Sequence, residues 1–171
     1  MMDELKMALA RDLDGSFPTL VMEMSGDLYS GLRRMSGDPV EAEDLTQETF
    51  VRAYRALRGY ERTRILDLSL RGWLWTIALN LGRNHLRDRA RRPQPIDHDE
   101  PQTVDPEPPD TAAWDRRLGA LTRPQRDAVV LRHIAGLGIS EIAEATGRPD
   151  GTVKADIHRG LAKLRRLLEA E

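Results

Sequence analysis

The segment Gly147–Leu167 reads GRPDGTVKADIHRGLAKLRRL and contains a turn, an apolar stripe and six Lys or Arg residues. The residues before it, ISEIAEATG, predict a short helix that ends at Gly147. Ala143, Gly147 and Val153 have the spacing of a helix-turn-helix. This motif needs a small residue where its helices cross, a glycine in the turn and a β-branched residue on the inner face of the second helix. The stretch therefore predicts a helix that reads duplex DNA.

Helical spacing divides this second helix into two faces. The inward-facing residues are predicted to be Val153, Ile157, Leu161, Leu164 and Leu168. The outward-facing residues are predicted to be Thr152, Ala155, His158, Arg159 and Lys163, with Lys154 at the edge. The preceding helix is expected to begin after Thr122, with a capping box to Gln125, and to end at about Ala135. A solvated last helix of a bundle is the alternative, but the turn, the periodicity and the basic face agree on a helix-turn-helix.

The composition of the whole chain is that of an all-α protein. Its 171 residues allow one domain or two small ones, and aromatic residues make up only 5%, so aliphatic side chains must form most of the core. No sustained alternation predicts a strand, whereas several windows have helical spacing. The absence of cysteine excludes disulfides, thiolate zinc sites and cysteine nucleophiles, and it fits a cytoplasmic location. No run approaches the roughly 18 apolar residues of a membrane span, so membrane insertion is not expected.

An acidic, proline-rich segment divides the chain at residues 93–112, PQPIDHDEPQTVDPEPPDTA. It holds six prolines, six acidic residues and no Lys or Arg. Because proline removes backbone donors and like charges repel, this segment is predicted to be a flexible linker. The predicted architecture is therefore two small helical domains, residues 1–92 and 113–171. The second domain carries eleven basic and eight acidic residues, although the whole chain has a formal net charge of −2.

Two helices of the N-terminal part carry faces suited to large partners. A helix over about Val40–Leu57 begins among acidic residues, which favour the helix dipole and also form a surface for a basic partner. These acids are Asp38, Glu41, Glu43, Asp44 and Glu48. A second helix, Trp73–Arg92, is predicted to bury Leu74, Ile77, Ala78, Leu81 and Leu86. Its opposite face collects Trp73, Thr76, Asn80, Arg83, Asn84, Arg87 and Arg91. Such groups can stack on an unpaired base, bond base edges and hold phosphates, although an ordinary amphipathic helix with a basic tail has the same pattern.

Three stretches follow one another along the chain: DPVEAEDLTQETFVRAYRAL, RGWLWTIALNLGRNHLRDRARR and the helix-turn-helix region from LTRPQRDAVV to KLRRLL. In this order they resemble the extracytoplasmic-function group of bacterial sigma factors. The resemblance covers about Phe17–Arg92 and Ala113–Leu168. It implies a protein that binds core RNA polymerase, at the coiled coil of the largest subunit and at the flap region, and directs promoter-specific initiation. It also implies promoter DNA and an anti-sigma protein as partners, and no catalytic residue, metal or cofactor.

The resemblance also assigns roles to individual residues. Polymerase binding is assigned to Asp44, Gln47, Glu48 and Arg52. Melting and reading of the minus-ten element are assigned to Trp73, Asn80, Arg83, Asn84, Arg87 and Arg91, with the loop Gly59–Leu70 capturing a flipped base. Reading of the minus-thirty-five element is assigned to Thr152, Lys154, Ala155, His158, Arg159 and Lys163. The chain departs from the family pattern at Gly138, where Ser or Thr usually caps a helix, and at Asn84, where an acid is common.

Two other classes of protein compete with this interpretation. A stand-alone helix-turn-helix regulator, with an N-terminal sensing or dimerisation domain, explains Gly147–Leu167 but not the amide and guanidinium face around Asn80. A carboxylate metalloenzyme is suggested by Glu41, Asp44 and Glu48 on one helix face. However, no Glu in the chain is followed three residues later by His, as a di-iron bundle requires.

Overall fold

The computed structural model describes residues 1–91 and 111–170, and each regular element in these ranges is an α-helix, which confirms the predicted all-α class. The helices are α1 Met2–Arg11, α2 Leu13–Ser36, α3 Pro39–Arg58, α4 Arg62–Asp67, α5 Leu70–Arg91, α6 Thr111–Gly119, α7 Arg123–His133, α8 Ile139–Thr146 and α9 Asp150–Glu169. The predicted linker lies outside the described residues, apart from Thr111 and Ala112, which begin α6. Across the two described ranges, none of the helices combines the length and the apolarity that a bilayer crossing requires.

Local polar signals fix the start of the acidic helix α3. The preceding helix α2 ends at Gly37, whose φ of 76° lies in the left-handed region that favours glycine. The Asp38 carboxylate then accepts hydrogen bonds from the backbone N–H of Val40 at 2.9 Å and of Glu41 at 3.2 Å. Pro39 occupies the first turn, where no intrahelical donor is lost. The turn and cap therefore orient the acidic first turns of α3.

Trp75 of α5 is at the centre of the N-terminal domain, although the sequence pattern did not predict it as a core residue. Its side chain is 0% exposed. The ring lies so close to Gly31 of α2 that a Cβ on this glycine would be 2.4 Å from the ring carbon Cη2, so a larger residue would clash there. The prediction that Leu86 faces inward was wrong, because this residue is 38% exposed near the end of α5. The packed part of α5 therefore ends at about Leu81, and the helix continues beyond the core.

In the C-terminal domain, α8 and α9 form the predicted helix-turn-helix. Gly147 separates them with a φ of 68°. At the start of α8, the N–H of Gly138 donates to Glu141 Oε2 at 2.8 Å, so the glutamate caps the helix without a Ser or Thr before it. Helix α7 begins after Thr122, as predicted, and the Thr122 N–H donates to Gln125 Oε1 at 3.3 Å.

The set of buried residues along α9 differs from the predicted one. Leu161 and Leu168 are 36% and 46% exposed, so the prediction that they face inward was wrong. Gly160 is buried instead, and a Cβ on it would lie 2.7 Å from the Cγ2 atom of Val129 in α7. Because this glycine lets the two backbones approach, the contact line passes through Gly160 and Leu164 and leaves Leu161 at the margin.

The two domains pack against each other, with α8 on α5 and α7 on α2. Leu137 and Ile142 of the C-terminal domain are fully buried in the same apolar cluster as Trp75. Polar contacts surround this apolar centre. The Ser69 hydroxyl donates to the Glu141 carboxylate, Arg71 donates to the Ala135 carbonyl at 3.4 Å, Arg83 donates to the Ala145 carbonyl at 3.1 Å, and Arg33 pairs with Asp115 at 3.1 Å.

Candidate nucleic-acid interface

The outer side of α3 carries the four residues predicted to bind the polymerase. Asp44 and Gln47 are exposed, and Glu48 is half-buried. Arg52 lies one turn after Glu48 and donates to its Oε1 atom at 2.8 Å. This pair partly neutralises Glu48, so Asp44 is the more available negative charge. The four residues line a groove shared with Asn84 of α5, which places the predicted polymerase and DNA faces side by side.

The outer face of α5 alternates amides with arginines. Asn80, Asn84, Arg87 and Arg91 are all exposed. The Asn80 Oδ1 atom accepts a hydrogen bond from Arg83 at 3.1 Å, and the Asn84 Oδ1 atom accepts one from Arg87. Each pair places a guanidinium group, which suits phosphate or a guanine edge, beside an amide, which suits an adenine edge. The face therefore offers two similar polar units one turn apart.

Arg83 belongs both to this face and to the interdomain contact. Its guanidinium donates to the carbonyl of Ala145 at 3.1 Å, in the last turn of α8, where carbonyls lack intrahelical partners. In the same region, Asp127 of α7 lines a crevice together with Leu79 of α5. Burial raises the pKa of the Asp127 carboxyl, while nearby arginines, Arg123 first, act to lower it. The C-terminal domain thus occupies the Arg83 side of α5 and leaves Asn84 and Arg87 exposed.

The loop before α5 contains an aromatic and cationic cluster that the sequence reasoning missed. The ring centroids of Tyr60 and Trp73 are 6.0 Å apart with an interplanar angle of 56°. The guanidinium carbon of Arg64 lies 3.7 Å from the centroid of Tyr60, within cation–π range. The sequence signal for this cluster is an aromatic residue, Tyr60, followed four positions later by an arginine, Arg64. This spacing indicates a contact only once α4 is known to lie inside the loop. Trp73 is half-buried, and Tyr60 beside it adds a second ring to the predicted base-binding region.

The outer face of α9 presents most of the residues predicted to read the minus-thirty-five element. Thr152, Lys154, His158 and Arg159 are exposed, and Ala155 is half-buried. They follow the N-terminal half of the second helix of the helix-turn-helix, the part that contacts base edges in this motif. The helix is thus oriented by its buried Val153 side and leaves two cationic side chains and an imidazole on the open side.

Two of the other basic residues in this segment have partners within the protein. Arg148 in the turn pairs with Asp156, a carboxylate that is only 7% exposed. Lys163 is half-buried, and its ammonium group donates to the carbonyl of Ala120 just after α6. These two cations make contacts within the C-terminal domain, whereas Lys154 and Arg159 lie exposed on the outer face of α9.

Two family models match the chain in the order of its two domains. Sigma-70 region 2 matches residues 20–92, and Sigma-70 region 4 matches residues 111–164. The chain is 37% identical to the ECF RNA polymerase sigma factor SigE of Mycolicibacterium smegmatis, over 88% of this chain but only 60% of that protein. It is 34% identical to the RNA polymerase sigma-E factor of Streptomyces avermitilis, over 90% of this chain and 86% of that protein.

Among solved structures, the chain is similar to CnrH in its complex with the cytosolic domain of CnrY. The TM-score is 0.74, with 27% sequence identity over 99% of this chain and 97% of that chain. The fold is also shared with the sigma factor RpoE of Bartonella quintana, at a TM-score of 0.71 and 23% identity over 91% and 98% of the two chains. Since both sigma regions match in order, and a relative above 30% identity is covered over most of its length, the chain belongs to the extracytoplasmic-function group of bacterial RNA polymerase sigma factors.

Proposed function

We propose that this chain binds core RNA polymerase and directs it to promoters with two elements, each read by one domain. The observation that carries the proposal is the presence of two different nucleic-acid faces in one chain. One is the basic outer side of α9, and the other is the amide and guanidinium side of α5. A stand-alone helix-turn-helix regulator needs only the first face, so the second one favours a sigma factor.

The N-terminal domain is proposed to capture the minus-ten element as an unpaired strand. The amides of Asn80 and Asn84 bond base edges, and Arg87 and Arg91 hold the phosphates. The rings of Tyr60 and Trp73 offer a stacking surface for a base flipped out of the duplex, since base–aromatic stacking needs no particular base. The loop that carries Tyr60 and Arg64 would then select the base by its shape and polar groups.

The C-terminal domain is proposed to read the minus-thirty-five element as a duplex. The N-terminal half of α9 enters the major groove, where Lys154 and Arg159 reach a guanine edge or a phosphate. Thr152, Ala155 and His158 adjoin the same bases. The ammonium group of Lys163 already bonds Ala120, so this residue contributes chiefly to the domain itself and to the surrounding positive potential.

The acidic helix α3 is proposed to hold the polymerase through Asp44, Gln47, Glu48 and Arg52. These residues share a groove with Asn84, so docking and strand capture occur on adjoining surfaces. A protein partner of the anti-sigma kind is also proposed, because CnrH, 27% identical, was solved in complex with a protein domain. All these partners place the chain in the cytoplasm, and the proposal requires no catalytic residue, metal or cofactor.

Run-off transcription tests the proposal. The chain is combined with core RNA polymerase on genomic fragments, and the start sites are mapped. We expect starts that depend on the added chain and that share two upstream sequence elements. Binding of the chain to duplex DNA without any polymerase-dependent start would instead support the stand-alone regulator.

A further inference from the structure

Helix α4 lies inside the loop Gly59–Leu70, which is proposed to capture a flipped base and is called the base-reading loop below. The helix is too short to be stable alone. It spans only six residues, Arg62–Asp67, and isolated helices of that length do not form in water because nucleation is costly. Its conformation must therefore come from packing. Among the described helices, α4 packs chiefly against α1, and Ile65, which is 4% exposed, is its buried residue.

Helix α1 supplies both an apolar and a polar contact region for the loop. Leu5 and Leu9 are buried at 7% and 1% exposure and belong to the same apolar cluster as Ile65. Between them, Lys6 donates from Nζ to the backbone carbonyl of Leu66 at 3.3 Å. This carbonyl is in the last turn of α4, where helix carbonyls lack intrahelical partners and a cation is favourable. Lys6 thus satisfies a terminal carbonyl of a helix to which it does not belong.

The position of α4 decides the geometry of the aromatic cluster. Arg64 lies on α4, and its guanidinium carbon is 3.7 Å from the centroid of Tyr60. Tyr60 in turn adjoins Trp73 at the start of α5. A shift of α4 therefore moves a cation across the ring on which a base would stack. The part of the chain that matches the family model begins at residue 20, so α1 lies outside it.

We infer that α1 is a positioning element of the base-reading loop, and that Lys6 acts as a specificity-determining residue through its bond to Leu66. The inference rests on the proposed function of this loop. Lys6 touches no DNA in this role. It fixes the end of α4, and α4 fixes the distance between Arg64 and Tyr60.

The test compares Lys6→Met, which removes the donor, with Lys6→Arg, which keeps one. Asp3→Asn is the matched control, because it removes the ion pair that Lys6 makes at 3.0 Å and leaves the bond to Leu66 in place. Each full-length variant is combined with core polymerase and a promoter obtained from the run-off mapping, with its minus-ten element unpaired. Each unpaired base is replaced in turn by the other three, and the ratio of the best to the worst affinity is measured.

We expect Lys6→Met to lower this ratio by about three- to tenfold at one position, the factor that one hydrogen bond contributes. Lys6→Arg and Asp3→Asn should keep the wild-type ratio. Amide exchange in residues 62–67 should be faster in Lys6→Met, while exchange in α3 is unchanged.

Two results would overturn the inference alone: an unchanged ratio in Lys6→Met, or an equal loss of affinity for all bases, as a merely stabilising role predicts. If the wild type itself discriminates no base at any unpaired position, the proposed function of the loop fails as well. The two failures are therefore distinguishable.

Discussion

A disulfide between α5 and α8 would test whether the packed domains must separate to read a promoter. A Cβ atom at Gly72 would lie 3.5 Å from the Cβ atom of Glu141, and this separation falls in the range of disulfides. The native chain has no cysteine, so the double variant Gly72→Cys/Glu141→Cys can form only this bond within one molecule. The perturbation is reversible by a thiol reductant, which makes the reduced protein its own control.

The expected effect follows from the dimensions of the protein and the DNA. A packed chain of this length has a radius of gyration of about 15 Å and a diameter of about 40 Å. Elements centred near positions minus ten and minus thirty-five are about 25 base pairs, or roughly 85 Å, apart at about 3.4 Å per base pair. Domains joined at α5 and α8 therefore cannot occupy both elements at once. The bond also closes a loop of about 70 residues, which stabilises the folded chain over the unfolded one by about 4 kcal/mol in the chain-entropy treatment.

We expect the oxidised variant, bound to core polymerase, to lose about a hundredfold or more in affinity for a promoter with both elements, since linked sites lose their avidity when geometry forbids joint binding. Filter binding with and without reductant measures this change. The two single variants are needed as controls, because Glu141 also caps α8 and accepts from Ser69. Equal affinity of the oxidised and reduced forms would refute the reasoning. Failure of the two thiols to join in the free chain would refute the packed arrangement.

Four further predictions concern individual residues of these surfaces. Asp44→Arg should weaken binding to core polymerase in a pull-down and leave helicity by circular dichroism unchanged, since this carboxylate is exposed. Asn80→Ala/Asn84→Ala should slow open-complex formation on duplex templates and alter the preferred minus-ten bases; wild-type opening rates would contradict the assignment. Arg159→Ala should cost about 1–3 kcal/mol of binding to the minus-thirty-five duplex and relax its specificity. Lys163→Ala should instead lower the free energy of unfolding by about 1 kcal/mol, because the bond to Ala120 is lost. If the slope of log affinity against log salt concentration also falls by about one unit, Lys163 contacts a phosphate in addition.

Local sequence signals predicted the ends of helices well, because each end depends on a few neighbouring residues. The helix predicted over about Val40–Leu57 is α3, Pro39–Arg58, and Gly147 predicted the end of α8, as the structure confirms. The helix α4 was missed because neighbouring residues do not determine it. Six residues are too few to show a helical period, and their conformation depends on α1, which lies more than fifty positions earlier in the chain.

Side-chain burial was harder to predict, because it depends on which helices meet. The apolar pattern of α9 placed Leu161 inside, but the close approach of α7 at Gly160 moved the contact line by one residue. Trp75 was missed because its neighbour, Gly31, comes from α2, for which no helix had been predicted. The packing of α8 on α5 could not be predicted either, since an apolar residue such as Leu137 does not reveal which surface will cover it.

The basic residues of the opening segment show why charge alone does not define a DNA-binding surface. Arg148 and Lys163 carry the same positive charge as Arg159, yet Arg148 pairs with a buried carboxylate and Lys163 with a backbone carbonyl. Removing Arg148 would leave Asp156 as a buried carboxylate without this partner, a loss of the kind that destabilises the fold and thereby weakens DNA binding indirectly. An alanine scan of affinity would therefore rank Arg148 among the DNA contacts. Because a loss of fold affects all sequences equally and a lost base contact affects one position, the change in base preference separates Arg159 from Arg148.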